Sequence, residues 1–567
     1  MYADDLTVFL EPSGQNLRCV MNILDEFYYI SGLKISVSKT KAVWFGSMHD
    51  AELRLCPDIE LQWVKGFNLL GVEFDNNLVN MNINFEKKMD QVCKLLINWS
   101  NRHLTPFGKV TVIKTLGMSK LSHLALVIPS PSKDQIKRIE RILYKFMWNN
   151  GSEKVRREDT KMAVYNGGLG MLDIGKFWMA FKFSWFRRLL STQAFWPHIL
   201  MGSVARFEGG VMDACRLMEL GSSKLNEISK KIKNPFWRQI LASAFPIVQK
   251  AAYTFPEKII NSPLFANPLV LRNRPVKHSD FPELVNKIRT LADLFYPSTN
   301  KFMDHVDLCV HYDIVFSLEK FIDLRFTVET ALKKLNLHQN RCPEAHYPLK
   351  PFLIDIATMC TKGCNKYYKI LTNNNPVNGN VRRENRWHAE LEVTMSTEFW
   401  EKSRKLYSSI DCDNKLKWLQ FQIVRNSLPT NRIVCKFRGD VGPVCSICME
   451  PDSIELISHL FWHCNKVQIF LQEVKRGLQG LGIEYSLDML RFLFGVHDRA
   501  CYDPQNIITL LLKKYIWSSK FKQLSISFIG FKHTLRMYSL DLSQILLQRN
   551  NVECSEIWNT IYTLLTI

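Results

Sequence analysis

The chain has no run of about 18 or more apolar residues and no charged start followed by an apolar core, so neither a membrane-spanning helix nor a secretory signal is expected. A disulfide framework is not expected either. The 15 cysteines are odd in number and scattered over 567 residues, which fits reduced thiols in an intracellular compartment, nucleus or cytoplasm. Acidic charge is in deficit: 54 Asp and Glu face 74 Lys and Arg, a formal charge of +20. This excess favours a polyanionic partner, nucleic acid ahead of an anionic membrane. What remains is globular in kind, with 46% hydrophobic residues, 35 Phe and 14 Trp, and the length predicts three or four units, each with its own core.

The chain opens on Tyr2-Ala3-Asp4-Asp5, followed by the alternating Leu6, Val8 and Leu10. Adjacent carboxylates ahead of a strand suit a hairpin tip that approaches a divalent metal holding a nucleoside triphosphate, the chemistry of two-metal phosphoryl transfer. The same letters also fit an Asx turn that merely opens a strand. Ser13 can cap a helix from about Asn16 to Ser31, with Leu17, Val20, Met21, Leu24 and Phe27 at helical spacing, ended by Gly32. Leu33 to Ser36 and Ala42 to Phe45 read as strands around a Ser38-Lys39-Thr40 turn, and Phe67 to Val72 as another short strand.

Helical spacing takes over from about Asn84, with Phe85, Met89, Val92, Leu96 and Trp99 on one face and a further helix after Pro106-Phe107-Gly108. From Ser132 to Trp148 an apolar stripe of Ile136, Ile139, Leu143 and Phe146 is accompanied by Lys137, Arg138, Arg141 and Lys145 on another face. From Asn80 to Leu190 about twenty Lys and Arg face about eight Asp and Glu, so the basic face is a candidate phosphate-tracking surface. Gly167-Gly168-Leu169-Gly170 reads as a turn and not a phosphate loop, because no Lys-Ser or Lys-Thr follows it. Between about Ser191 and Glu398, helical pieces alternate with Pro- and Asn-rich joints, without repeat or catalytic constellation.

Cys445-x2-Cys448 is followed by His459 and Cys464, with His463 as an alternative last ligand. Three thiolates and an imidazole at this spacing suit a structural Zn2+ site with no position left for a reactive water. Buried free cysteines beside a core histidine are the alternative. Cys360-x3-Cys364 lacks a second pair and is not assigned a metal.

In their order, these segments resemble the C-terminal half of the polymerase protein of non-LTR (LINE-type) retrotransposons. Tyr2-Ala3-Asp4-Asp5 resembles the reverse-transcriptase active-site box, and Gly32 to Ile35 through Lys39-Thr40-Lys41 the palm motif that follows it. Phe67 to Val72 is similar to the primer-grip strand pair. Trp99, Arg102 to Lys109 and Phe146-Met147-Trp148 resemble the helical thumb, with the Gly167 turn after it. Ser427-Leu428-Pro429-Thr430 ahead of Cys445, Cys448, His459 and Cys464 resembles the family's zinc-binding region.

The resemblance implies an RNA-directed DNA polymerase, a nucleotidyltransferase, with Asp4 and Asp5 as Mg2+ ligands, Tyr2 near the incoming nucleotide and Lys39 near the leaving pyrophosphate. RNA template and DNA primer or target would be its partners. The implied fold is α+β at the N-terminus, a truncated palm, then mostly α-helical with a small zinc-binding unit near the C-terminus. It divides into 1–80 (partial palm), 81–190 (thumb), 191–398 (helical connector) and 399–567 (C-terminal region with the zinc module). The family's fingers, its other metal-binding Asp strand and its endonuclease have no counterpart in this sequence. The chain alone is therefore expected to be inactive as a polymerase unless the missing half is supplied in trans. A nucleic-acid-binding zinc protein and a non-functional retroelement remnant are the other expectations.

Overall fold

The computed structural model describes residues 6–78, 81–209, 212–297, 299, 301–337, 351–373, 381–409, 413–495 and 503–566. These are mostly helical, with a little sheet near the start. Helix α1 (Gly14–Ser31) begins where Ser13 Oγ accepts a hydrogen bond from Gln15 N–H at 3.2 Å. It ends at Gly32, whose φ of 72° is the left-handed conformation open to glycine. None of its residues is buried, and Ile23, Phe27 and Ile30 are exposed.

The strands differ from expectation. Leu33 to Ser36 is irregular and leads into a 3-10 turn, Val37–Lys39. Only Lys41–Ala42 (β1) of the next segment is strand, paired in parallel with Gln62–Trp63 (β2). The run Phe67 to Val72 is not one strand but a hairpin of Gly66–Leu69 (β3) and Val72–Asp75 (β4), in antiparallel register with Leu69 opposite Val72. Leu70 and Gly71, with φ of 51° and 75°, form its two-residue turn. Asn68 Oδ1 accepts the Gly71 N–H at 3.0 Å. An apolar residue in the turn is what makes the run look continuous in sequence.

Helix α2 (Asn82–Ser100) buries Phe85, Met89, Val92 and Leu96, and also Asn84. The Asn84 amide accepts from Glu73 N–H and donates to Glu73 O, both at 2.7 Å, and so fastens the hairpin to α2. After α3 (Pro106–Val112), capped by Thr105, a wide turn leads to α4 (Ser119–Val127). Helix α5 (Lys133–Met147) starts at a capping box of Ser132 and Gln135 and buries Ile139, Leu143, Phe146 and Met147.

Two hydrophobic cores organise the rest. The first runs from Val72 to Trp178 and resumes from Trp387 to Leu565, so the segment after residue 381 packs with α2 to α5. The second spans Ala180 to Leu371. The helix Ile174–Ser191 belongs to both, with Trp178 in the first and Phe183 and Phe186 in the second. Its buried Lys182 donates to Ala125 O at 2.8 Å near the end of α4. Burial pushes this amine down to about 7.

Polar ties cross the first core. Asp159, almost wholly buried, pairs with Arg383 and Arg425, and Arg425 Nε donates to Gly167 O at 2.8 Å. Gly168 has no room for a side chain, since a Cβ would lie 2.0 Å from Met162 O. The glycine turn is thus a joint between the two halves of this core. Among the described residues no single helix is long and apolar enough to cross a membrane; α3 with its following turn and α4 qualify only as a pair bent by 47°.

Candidate metal centre and nucleic-acid face

The two ends of the Cys/His motif are shaped by different local folds. At the first, Met449 N–H donates to Cys445 O and Cys445 N–H to Ser453 O, both at 2.9 Å, with Met449 at φ 60°. This tight knuckle turns both thiols inward. At the second, a wide turn, His459–His463, is closed by Cys464 N–H donating to His459 O at 2.8 Å, and the helix Asn465–Gly480 starts directly after it. The break between this turn and the helix places His459 and Cys464 on one side.

Cys445, Cys448, His459 and Cys464 present ligand atoms that all lie within 4.8 Å of one another. Ligands on a tetrahedron with metal–sulfur bonds of about 2.3 Å are separated by roughly 3.8 Å, so a small inward movement closes the shell. The three thiols are buried and the imidazole half-buried. His463, the alternative ligand, is exposed. Burial holds His459 below its ordinary value, in the neutral form that ligates metal. The hydrogen bond between Cys464 and Cys445 lowers the former thiol and raises the latter, as in a pair sharing one proton. The cluster could bind a metal such as zinc, and its donor chemistry fits that ion.

Behind the cluster sits Glu455, fully buried. Its carboxylate accepts from Asn431 N–H at 2.7 Å, from Ser446 N–H at 3.1 Å and from Ser446 Oγ at 3.0 Å, and pairs with buried Lys520. Asn431 Nδ2 also donates to Val444 O at 2.8 Å. The Ser427 to Thr430 string thereby leads straight into the support of the knuckle. Sequence reasoning missed Glu455 and Lys520; a lone acid within Ile454-Glu455-Leu456-Ile457 was the available signal.

Tyr2, Asp4 and Asp5 lie outside the described residues. Lys39 is exposed at the last position of its 3-10 turn. Lys137, Arg138, Arg141 and Lys145 are all exposed on α5. Lys137 pairs with Asp134 at 3.6 Å, and Arg138 pairs with Glu86 of α2 at 2.7 Å. Among the described residues Arg141 and Lys145 have no acidic partner.

Beyond the end of α5 a cleft of about 530 Å3 opens against the α2–α3 connection and the helix Asn414–Val424. Arg102, His103, Thr105, Asn149, Asn150 and Trp418 line it. Three segments distant in the chain meet here, so no local pattern announces it. No protein-family model matches this chain.

Proposed function

We propose that this chain is the palm end, thumb and C-terminal part of a non-LTR retrotransposon reverse transcriptase, and that its own contribution is to hold nucleic acid. The observation that carries the reading is the exposed line of Lys137, Arg141 and Lys145 on α5, whose apolar side is packed into the same core as the Cys/His cluster. Cations four residues apart on a helix fall on one side, about 6 Å apart along the axis. Such a line can track a phosphate backbone and displace its counterions.

The ordered motifs support the family, and so does the uncovered apolar side of α1, where the remainder of a palm would pack, from the same chain or in trans. In this reading Asp4 and Asp5 would hold Mg2+ beside an incoming nucleotide, with Lys39 near the leaving group. Zn2+ at Cys445, Cys448, His459 and Cys464 is structural: with four protein ligands it leaves no water to activate.

A filter-binding titration of the full chain tests the proposal. Affinity for nucleic acid should fall steeply with salt, and neutralising Lys137, Arg141 and Lys145 together to Gln should flatten that slope by about three charges. Salt-independent binding, or a triple variant that binds like the parent, would overturn it. Metal analysis should find about one zinc per chain, and none after Cys464→Ser.

A further inference from the structure

The cleft at the end of α5 brings together an indole ring, a guanidinium and two side-chain amides. Its volume of about 530 Å3 is within the range of small-ligand clefts. Trp418 is held by Phe421, stacked at 5.2 Å with an interplanar angle of 18°, and by the edge of Phe107. A ring fixed in this way is a platform on which any base can stack. Arg102 is exposed, lies over the Trp99 ring at 4.5 Å, and has no carboxylate partner among the described residues. No acidic side chain lines the cleft.

Its polar side is equally suited. Asn149 and Asn150 take positive φ of 52° and 59° in the turn that leaves α5. The Asn149 Oδ1 accepts from buried Lys109 Nζ, which fixes the amide. Asn150 N–H donates to Lys145 O at 2.8 Å. Lys145, the last cation of the α5 line, thus sits in the turn of chain just before the two asparagines that line the cleft.

We propose that this cleft receives one unpaired nucleotide of a single-stranded nucleic acid whose backbone follows Lys137, Arg141 and Lys145. The base stacks on Trp418, its edge meets the Asn149 and Asn150 amides, and Arg102 takes a phosphate. A duplex does not satisfy the site, because its bases remain stacked on each other. The assignment rests on the nucleic-acid reading above and deepens it.

The full chain is titrated with a labelled oligo(dT) strand and with a blunt duplex of the same length. Arg102→Ala and His103→Ala, both at exposed positions, should each weaken the single strand by roughly tenfold and leave the duplex unchanged. A strand carrying photoreactive bases should crosslink to the peptides holding His103 or Trp418. Trp418→Ala should abolish the preference for single strand; because Trp418 also packs in the core, the two exposed variants carry the decision. If Arg102→Ala and His103→Ala change nothing, and no crosslink maps to the cleft, while salt dependence and sensitivity to the α5 variants persist, the cleft assignment fails alone. If salt dependence and α5 sensitivity are also absent, the nucleic-acid reading fails with it.

Discussion

Glu455 is a fully buried carboxylate met by Lys520, two backbone N–H groups and a hydroxyl. Removing one partner of a buried pair leaves the other uncompensated. Glu455→Gln should therefore cost about 3–5 kcal/mol in denaturant unfolding of the metal-loaded chain. Glu455→Gln combined with Lys520→Met should recover much of that loss, and a double variant as unstable as the sum of the singles would rule out the coupling. Buried lysines give a pH signature as well. Lys182 and Lys513 are pushed down to about 7 by burial, from an ordinary 10.5. Below about pH 7 both folded and unfolded states hold these protons. Between about 7 and 10.5 the unfolded state alone holds them, so stability rises with pH by about 1.4 kcal/mol per unit for each lysine. Urea midpoints at pH 7 and pH 9 should show this rise, and Lys513→Met should reduce it. The four members of the Cys/His cluster were legible because C-x2-C-x10-H-x4-C is a local pattern in the chain. Glu455 was not, since its partner lies 65 positions further on and nothing nearby in sequence announces it.

Where bounds were read, helices α1, α2 and α5 matched them to within about two residues, because apolar spacing marks all three and a capping serine marks the start of α1 and of α5. The strands were harder, since a turn built on Leu70 carries no polar punctuation and the pairing of β1 with β2 depends on residues about twenty positions away. The four cations of α5 were visible as a face, but not that Arg138 is engaged by Glu86 on α2. The glycine turn was legible as a turn, whereas its burden was not. Gly168→Ala would place a methyl group 2.0 Å from Met162 O, and only a backbone shift relieves that overlap. We expect a loss of about 2 kcal/mol or more by thermal or denaturant unfolding. A parent-like midpoint would mean that the turn tolerates movement.

The two cores divide the chain differently from a simple linear series. Residues 72–178 share their interior with residues 387–565, while 180–371 form a separate one. Loss of the metal should then be felt far from it. On chelation, hydrogen exchange should accelerate in α5 together with the helix Asn465–Gly480, while the helix Pro235–Thr254 of the second core keeps its protection. Acceleration confined to the residues around the cysteines would show that the cluster holds only itself. The interrupted first core also sets a schedule for synthesis. Its opening helices leave the ribosome long before their partners exist, and at 5–20 residues per second the chain from Trp178 to Leu565 takes roughly 20–80 s to follow. Throughout that interval Phe85, Leu96, Leu143 and Phe146 lack part of their final cover, so the first half must stay foldable while some of its apolar surface is still bare.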